Sequence, residues 1–372
     1  MTSTARTILE SLVKVPSVTG EEMRLADTVA GWCRAAGLET VLREIEPGRP
    51  NVVAHRRTGR RPVLLMTGHL DTVPVGEGWT RDPFGADVES GRLYGRGASD
   101  MKAGLAAMLA ALVDLHAAGE QPAGDVVFAG VIGEEEDSAG TLALIADGIT
   151  ADRALLAEPT ALELIRSGRG LVNYTLTIAG ASAHASSPQL GRNAIVAAAH
   201  VVQALEQLSA RLAERPHPAF GPPNLTVGTI HGGTRPYVVP DLCVVEVDRR
   251  VNPGESPEMV RAETEAVLEE VRQRIPWLVA DFTFGSEYFP FELAEDDPLV
   301  QSALAAMRAA GLQPRVGRWR AASDAGLLVG RAGIPCVLFG PGDTSQAHRP
   351  DEFVDLAEVE MASQVCSRLL KS

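Results

Sequence analysis

The sequence has few cysteines, no long apolar run and fewer basic than acidic residues, and each shortage argues against a class of protein. Its 372 residues include four cysteines, which lie far apart and form no Cys-x-x-Cys pair. Neither a disulfide framework nor a thiolate zinc site is therefore indicated. The net charge of −14 argues against a nucleic-acid partner.

Two further absences concern the membrane. No apolar run is long enough to cross a bilayer, and residues 1–6 lack the apolar core of a signal peptide. We therefore expect no membrane partner and a cytoplasmic location. The chain is too long for one compact core, and its hydrophobic content of 45% is ordinary, so two domains are expected.

The most informative stretch is the segment 67–74, Thr-Gly-His-Leu-Asp-Thr-Val-Pro. The apolar run 63–66 before it predicts a buried strand. His69 follows the carboxyl end of this strand, which is where open α/β sheets bind ligands. Asp71 has the spacing to hold the second imidazole nitrogen, as carboxylates do for metal-bound histidines. Alone, this pair is also typical of an ordinary loop histidine.

Strands and helices alternate through the first 170 residues, which predicts a mostly parallel sheet with helices on both faces. Thr19 and Glu22 have the spacing of a capping box and predict the start of a helix that runs to about residue 36.

The pattern changes after residue 170. Alternating strands and two long helices, at 193–212 and 257–275, predict an inserted α+β domain with two helices on an antiparallel sheet. The first pattern returns near residue 298. We predict an α/β fold with one domain formed by 1–170 and 288–372 and a second, inserted domain formed by 171–287.

Six side chains of the first domain follow predicted strand ends or precede helices, namely His69, Asp100, Glu134, Glu135, Glu158 and His348. Imidazole and carboxylate ligands suit two zinc ions, with cobalt or manganese possible. A carboxylate such as Asp100 can bridge two ions. Neighbours in extended backbone point in opposite directions, so one of Glu134 and Glu135 can ligate while the other acts as a base.

Each of these residues also has an ordinary explanation. Adjacent acids such as 134–137 commonly form a solvated loop. Asp100 can simply complement a helix dipole, and Glu158 can end a strand. Six such coincidences at equivalent places along one chain are improbable, so we interpret the set as a metal site.

Five segments together resemble the signature of the co-catalytic zinc aminoacylase and carboxypeptidase family. This family includes acetylornithine deacetylase, succinyl-diaminopimelate desuccinylase and bacterial glutamate carboxypeptidase. The resemblance extends over essentially the whole chain, in order. The matching segments are His-Leu-Asp-Thr-Val-Pro at 69–74, Gly-Arg-Gly-Ala-Ser-Asp-Met-Lys at 95–102, Gly-Glu-Glu at 133–135, Ala-Glu-Pro at 157–159 and His-Arg-Pro-Asp-Glu at 348–352.

The resemblance implies two Zn²⁺ ions per chain in a catalytic domain. His69 and Glu158 would bind one ion, Glu135 and His348 the other, and Asp100 would bridge them.

The resemblance also implies roles for residues that do not bind metal. Asp71 would orient His69. Glu134 would be the general base and later the proton donor to the leaving amine. A cis peptide bond is implied between Asp100 and Met101.

The inserted domain resembles a dimerisation or lid domain. His184, in Gly-Ala-Ser-Ala-His-Ala-Ser-Ser-Pro at 180–188, would polarise the scissile carbonyl in the partner subunit of a homodimer. Arg250 would hold a substrate carboxylate. The alternatives are a loop histidine and a surface arginine. Tyr237 stands where relatives often have asparagine, which leaves the substrate open.

These features predict a di-zinc hydrolase that releases the acyl group of an N-acyl amino acid. The alternative is a dipeptidase or carboxypeptidase, because the metal ligands do not distinguish the two. A metal-binding dimer scaffold without turnover is the remote alternative. Glu134 argues against the scaffold, since a scaffold needs no base beside a ligand.

Overall fold

The computed structural model describes residues 3–372, which divide into two compact units. The first contains the described residues up to Ser167 together with Leu293–Arg318 and Leu327–Ser372. The second contains Gly168–Glu292 and Trp319–Gly326. The second unit extends a few residues beyond the predicted insertion, 171–287, at both ends. It also includes a short later segment that the sequence pattern assigned to the other domain.

The α-helices of both units are numbered in chain order. Their bounds are α1 (Thr4–Val13), α2 (Met23–Ala35), α3 (Ala103–Ala117), α4 (Ala139–Ala146), α5 (Ala194–Leu212), α6 (Pro257–Arg274), α7 (Pro298–Ala309), α8 (Asp324–Ala332) and α9 (Leu356–Leu369). Helices α5 and α6 belong to the second unit. Among residues 3–372, none of the α-helices combines the length and the apolar character that crossing a lipid bilayer requires.

The strands follow the same division. Their bounds are β1 (Glu39–Glu46), β2 (Arg49–Arg56), β3 (Leu64–His69), β4 (Asp87–Glu89), β5 (Arg92–Tyr94), β6 (Val126–Val131), β7 (Arg153–Leu156), β8 (Leu164–Gly168), β9 (Gly170–Ala179), β10 (Asn224–Gly232), β11 (Leu242–Val251), β12 (Val279–Tyr288), β13 (Phe291–Glu292), β14 (Val316–Trp319), β15 (Cys336–Leu338) and β16 (Phe353–Asp355).

The central sheet of the first unit has the order β1-β2-β6-β3-β7-β15-β8, with β14 paired to β8. The middle strands β6, β3, β7 and β15 are parallel, and the flanking pairs are antiparallel. Both β3 and β6 are buried at every position, as expected for parallel strands covered on both faces. The predicted α/β fold with a mostly parallel sheet is confirmed.

The helix α3 is apolar around most of its circumference, which is typical of a helix without a solvent face. Its residues from Ala103 to Leu112 are all buried. It packs against α1, α9 and β3. Helix α3 is therefore part of the interior of the first unit, and the turn that precedes it is attached to this buried helix.

The second unit is an antiparallel sheet of order β10-β11-β9-β12 with the helices α5 and α6. In β9, the side chains Val172, Tyr174, Leu176 and Ile178 are buried and their neighbours are more exposed. This alternation matches a sheet with one face against its helices. The predicted α+β arrangement of two helices on an antiparallel sheet is confirmed.

The predicted capping box is wrong. Helix α2 begins at Met23, and its N-cap residue Glu22 makes no side-chain capping bond. The Glu22 carboxylate instead pairs with Arg49, whose Nη2 lies 2.6 Å away. The Thr19 hydroxyl donates to a carboxylate oxygen of Asp71 at 3.0 Å. Both side chains that the local pattern assigned to the start of the helix therefore bind residues that are distant in the sequence.

Two helical glycines provide a matched test of packing in the first unit. A Cβ on Gly104 of α3 would lie 1.9 Å from the carbonyl oxygen of Ala157, whereas one on Gly31 of α2 would meet nothing within 4 Å. We expect Gly104→Ala to lower the free energy of unfolding by ~1–3 kcal/mol through overpacking. Gly31→Ala should raise it by ~0.5–1 kcal/mol. Urea denaturation measures both, and equal effects would contradict this packing.

Candidate metal centre

The parallel strands bring several predicted ligands to one edge of the sheet. His69 is the last residue of β3 and lies beside Val131, the last residue of β6. On the other side, Thr67 of β3 pairs with Leu156, the last residue of β7. The residues that follow β6 and β7 therefore emerge beside His69. These residues are Glu134, Glu135 and Glu158.

Asp100 lies in an irregular turn, Ala98–Lys102, immediately before α3. The cis peptide bond that the resemblance implied between Asp100 and Met101 is present. One carboxylate oxygen, Oδ1, lies 3.1 Å from Nε2 of His69, and the other, Oδ2, lies 3.7 Å from Nε2 of His348. Each oxygen thus faces a different imidazole, which is the arrangement expected of a bridging ligand.

Glu135 completes the contact with His348. Its two carboxylate oxygens lie 3.0 and 3.3 Å from His348 Nε2. His69, Asp100 and Glu135 each offer one ligand atom, and these three atoms all lie within 4.8 Å of one another. Glu135 and His348, which contact each other in this cluster, are 213 positions apart in the sequence.

The carboxylate of Asp71 fixes the loop that carries the two glutamates. Its oxygens accept the backbone N–H groups of Glu134 and Glu135 at 3.1 and 3.2 Å. His69 Nδ1 lies 2.9 Å from the backbone oxygen of Asp71 and 3.7 Å from its carboxylate. The main chain of Asp71 therefore orients the imidazole most directly. The task of its carboxylate in holding the glutamate loop was not predicted from the sequence.

The electrostatics of the cluster favour a positive charge. Burial lowers the pKa of His69, but its hydrogen bond to Asp100 and the charge of Glu158 outweigh burial and raise that pKa well above 6.5. The hydrogen bond to Glu135 raises the pKa of His348. Both pKa shifts indicate that the carboxylates favour a positive charge at this point. A divalent cation can supply that charge in place of protons, so the residues fit a metal.

The residues of the second unit that the sequence singled out are His184, Arg250 and Tyr237, and each has its own local contacts or exposure. His184 is exposed, and its Nδ1 accepts the backbone N–H of Ser186 at 3.1 Å. A neutral His184 therefore carries its proton on Nε2. Arg250 forms a two-point ion pair with Asp248, at 2.9 and 3.1 Å. Tyr237 is 58% exposed.

Two further residues of the first unit bind residues of the candidate site and were missed in the sequence. Thr19 donates to Asp71, and Glu352 accepts the backbone N–H of Asp100 at 3.0 Å. Glu352 stands in the segment 348–352 that carries part of the resemblance, and this position was the available signal. Nothing in the sequence around Thr19 distinguished it from a helix cap.

The chain is similar to known proteins over most of its length. The profile of peptidase family M20/M25/M40 matches residues 65–372. The chain is 33% identical to succinyl-diaminopimelate desuccinylase of Cereibacter sphaeroides, over 97% of this chain and 96% of that protein. It is 30% identical to N-formyl-4-amino-5-aminomethyl-2-methylpyrimidine deformylase of Halalkalibacterium halodurans, over 95% and 90% respectively. The crystal structure of the aminopeptidase PepT from Bacillus cereus superposes with a TM-score of 0.79 at 22% identity, over 99% and 97% of the two chains.

The raised pKa of His348 predicts a pH dependence of the metal-free protein. Its protonated form stabilises the fold fully below the ordinary value of 6.5, and this contribution is lost as pH rises through the raised pKa. The stability difference between wild type and His348→Gln should therefore shrink above pH 6.5. Urea denaturation of both proteins in a chelator, between about pH 5.5 and 9, measures it. A difference in the free energy of unfolding that stays constant or grows with pH would contradict the raised pKa of His348.

Proposed function

Because the chain belongs to peptidase family M20/M25/M40, it is a hydrolytic enzyme that uses a divalent metal to cleave amide bonds, and we propose that it removes the acyl group of an N-acyl amino acid. The observation that carries the proposal is the position of Asp100 between the two imidazoles of His69 and His348.

We assign the ligands of two Zn²⁺ ions to the residues of this cluster. His69 and Glu158 would hold one ion, Glu135 and His348 the second, and Asp100 both. The separate contacts of the two Asp100 oxygens support this division. When bound, the ions would polarise the scissile carbonyl and make a water molecule easier to deprotonate.

Glu134 is the proposed general base. The backbone N–H of Glu134 is bound by Asp71, and the charge of Glu134 is among the causes that raise the pKa of His69. Both observations support a role for its carboxylate beside the proposed ligands. It would take one proton from the attacking water and give that proton to the nitrogen as the C–N bond breaks. The products are a carboxylic acid and an amine.

The deacylase assignment is supported by the names of the relatives. The two relatives described above are a desuccinylase and a deformylase, so removal of an acyl group is common to both. Arg250 would bind the carboxylate of the amino acid, because Asp248 occupies only two of its guanidinium N–H groups. A dipeptidase or carboxypeptidase activity remains the alternative. The likeness to an aminopeptidase structure is a likeness of fold.

The second unit would form a homodimer, and His184 would act in the partner's site. Its Nε2–H is suited to donate to the oxyanion that forms at the carbonyl. The open edge strand β10 exposes Ile230 by 49%, and α5, which packs against β10, exposes Val196 by 51%. Apolar side chains on a sheet edge and a neighbouring helix are common at such interfaces.

The cytoplasmic location and the exclusion of nucleic-acid and membrane partners stay predictions of the sequence. Cell fractionation and a nucleic-acid binding assay test them, and a protein recovered with the membrane or bound to DNA would contradict them.

We expect Glu134→Gln to keep its bound metal and to lose ~10²–10⁴-fold in kcat, because only the base is removed. Glu136→Gln, which changes an exposed acid of the same loop, is the matched control and should retain activity. Metal content and hydrolysis of N-acetylornithine, N-succinyl-diaminopimelate, N-acetylmethionine and several dipeptides are measured together. A Glu134→Gln enzyme that turns over as fast as wild type would refute the base, and hydrolysis of dipeptides alone would select the alternative substrate class.

If the second unit forms the dimer, a charge placed on its exposed apolar surface should both dissociate the protein and lower its activity. Val196→Glu should dissociate the protein at micromolar concentration and reduce activity to the level of His184→Ala, because both remove the histidine supplied in trans. Val41→Glu is the control, since Val41 is 55% exposed in the first unit. Sedimentation velocity gives the mass. A wild-type monomer with full activity would refute both the dimer and the role of His184.

A further inference from the structure

An ion pair between Arg96 and Glu352 is buried in the first unit and has no part in the chemistry proposed above. The side chains are 2% and 1% exposed, and Arg96 Nη1 lies 2.7 Å from Glu352 Oε2. Taking two charges out of water is costly, and such a pair often adds little to stability compared with apolar residues of similar size. Its other contacts indicate what the pair does.

Glu352 binds the backbone of the turn that presents Asp100. Oε2 accepts the N–H of Gly97 at 2.9 Å, and Oε1 accepts the N–H groups of Ser99 and Asp100 at 2.8 and 3.0 Å. With the bond from Arg96, the carboxylate accepts four donors. Only a carboxylate offers acceptor sites on two oxygens without bringing a donor of its own.

Arg96 binds the backbones of two other segments. Its Nη2 donates to the carbonyl oxygens of Pro74 and Val75 at 3.3 and 3.1 Å, just beyond the segment that contains His69. Its Nη1 also donates to the carbonyl oxygen of Arg349 at 3.3 Å, one residue after His348. The guanidinium is thus hydrogen-bonded to the segment that follows His69 and to the segment that follows His348.

We infer that the Arg96–Glu352 pair is a positioning device for the metal centre. It ties together the three chain segments that carry His69, Asp100 and His348 and thereby sets the separation of these ligands before metal binds. This inference rests on the proposed ligand roles. Neither Arg96 nor Glu352 would touch metal or substrate.

The test compares metal affinity in Glu352→Gln, in the double variant Arg96→Met/Glu352→Gln and in wild type, by competition with a chromogenic zinc chelator. Glutamine keeps the shape but turns an N–H₂ group towards donors, so Asp100 should move. We expect zinc affinity to fall by ~10–100-fold in both variants, as when outer partners of metal ligands are changed. With zinc in excess, kcat should fall while KM changes little.

Thermal unfolding separates positioning from general stability. The single variant leaves the Arg96 charge uncompensated and should melt below wild type, whereas the double variant removes that charge and should regain melting temperature but not zinc affinity. Asp125→Asn is the matched control. Asp125 also accepts two loop N–H groups, from Thr58 and Gly59 at 2.6 and 2.8 Å, but that loop carries no ligand. It should lose stability and keep zinc affinity.

The possible results discriminate clearly. Wild-type zinc affinity in Glu352→Gln, or recovery of affinity together with stability in the double variant, would overturn the positioning role and leave the proposed function intact. A wild-type protein that binds no zinc would overturn both. If Glu352→Gln does not fold, Glu352→Asp replaces it. Its shorter carboxylate keeps the charge but cannot reach all four donors, so it should bind zinc less tightly than wild type, and equal affinity would overturn the inference.

Discussion

Repulsion between carboxylates is the constraint on which the rest of the first unit depends. One carboxylate oxygen of Asp100 lies within 4.8 Å of one of Glu135, and the buried Asp71 carboxylate accepts the backbone N–H groups of Glu134 and Glu135. Like charges at such distances disfavour one another unless a cation or a proton offsets them. The raised pKa values of His69 and His348 indicate that the carboxylates favour a positive charge beside them. A divalent metal can supply that charge.

Holding repelling groups together requires a rigid support, and the fold provides it in two ways. Parallel strands with fixed register deliver His69 and the two glutamates of the following loop to one edge. Buried carboxylates then hold the connecting loops by their backbone N–H groups. Asp71 does so for Glu134 and Glu135, and Glu352 does so for the turn at Asp100. The positions of the proposed ligands thus depend on hydrogen bonds made by residues outside the proposed ligand set.

The sequence predicted those parts of the site that follow from local pattern. An apolar run that ends in a histidine, or in adjacent acids, is enough to place His69 and Glu135 at strand ends. The motif resemblance supplied the pairing of Asp100 with His348, which no local pattern contains because the residues lie far apart in the chain. The capping box at Thr19 and Glu22 failed because distant partners, Asp71 and Arg49, bind these side chains. Such competition is decided by tertiary structure and cannot be derived from spacing.

The most direct test of the account is a crystal structure of the zinc-loaded protein with diffraction data collected on both sides of the zinc absorption edge. We predict two anomalous peaks on either side of the Asp100 carboxylate, one beside His69 and Glu158 and the other beside Glu135 and His348. A single peak, or peaks away from these side chains, would contradict the two-metal centre.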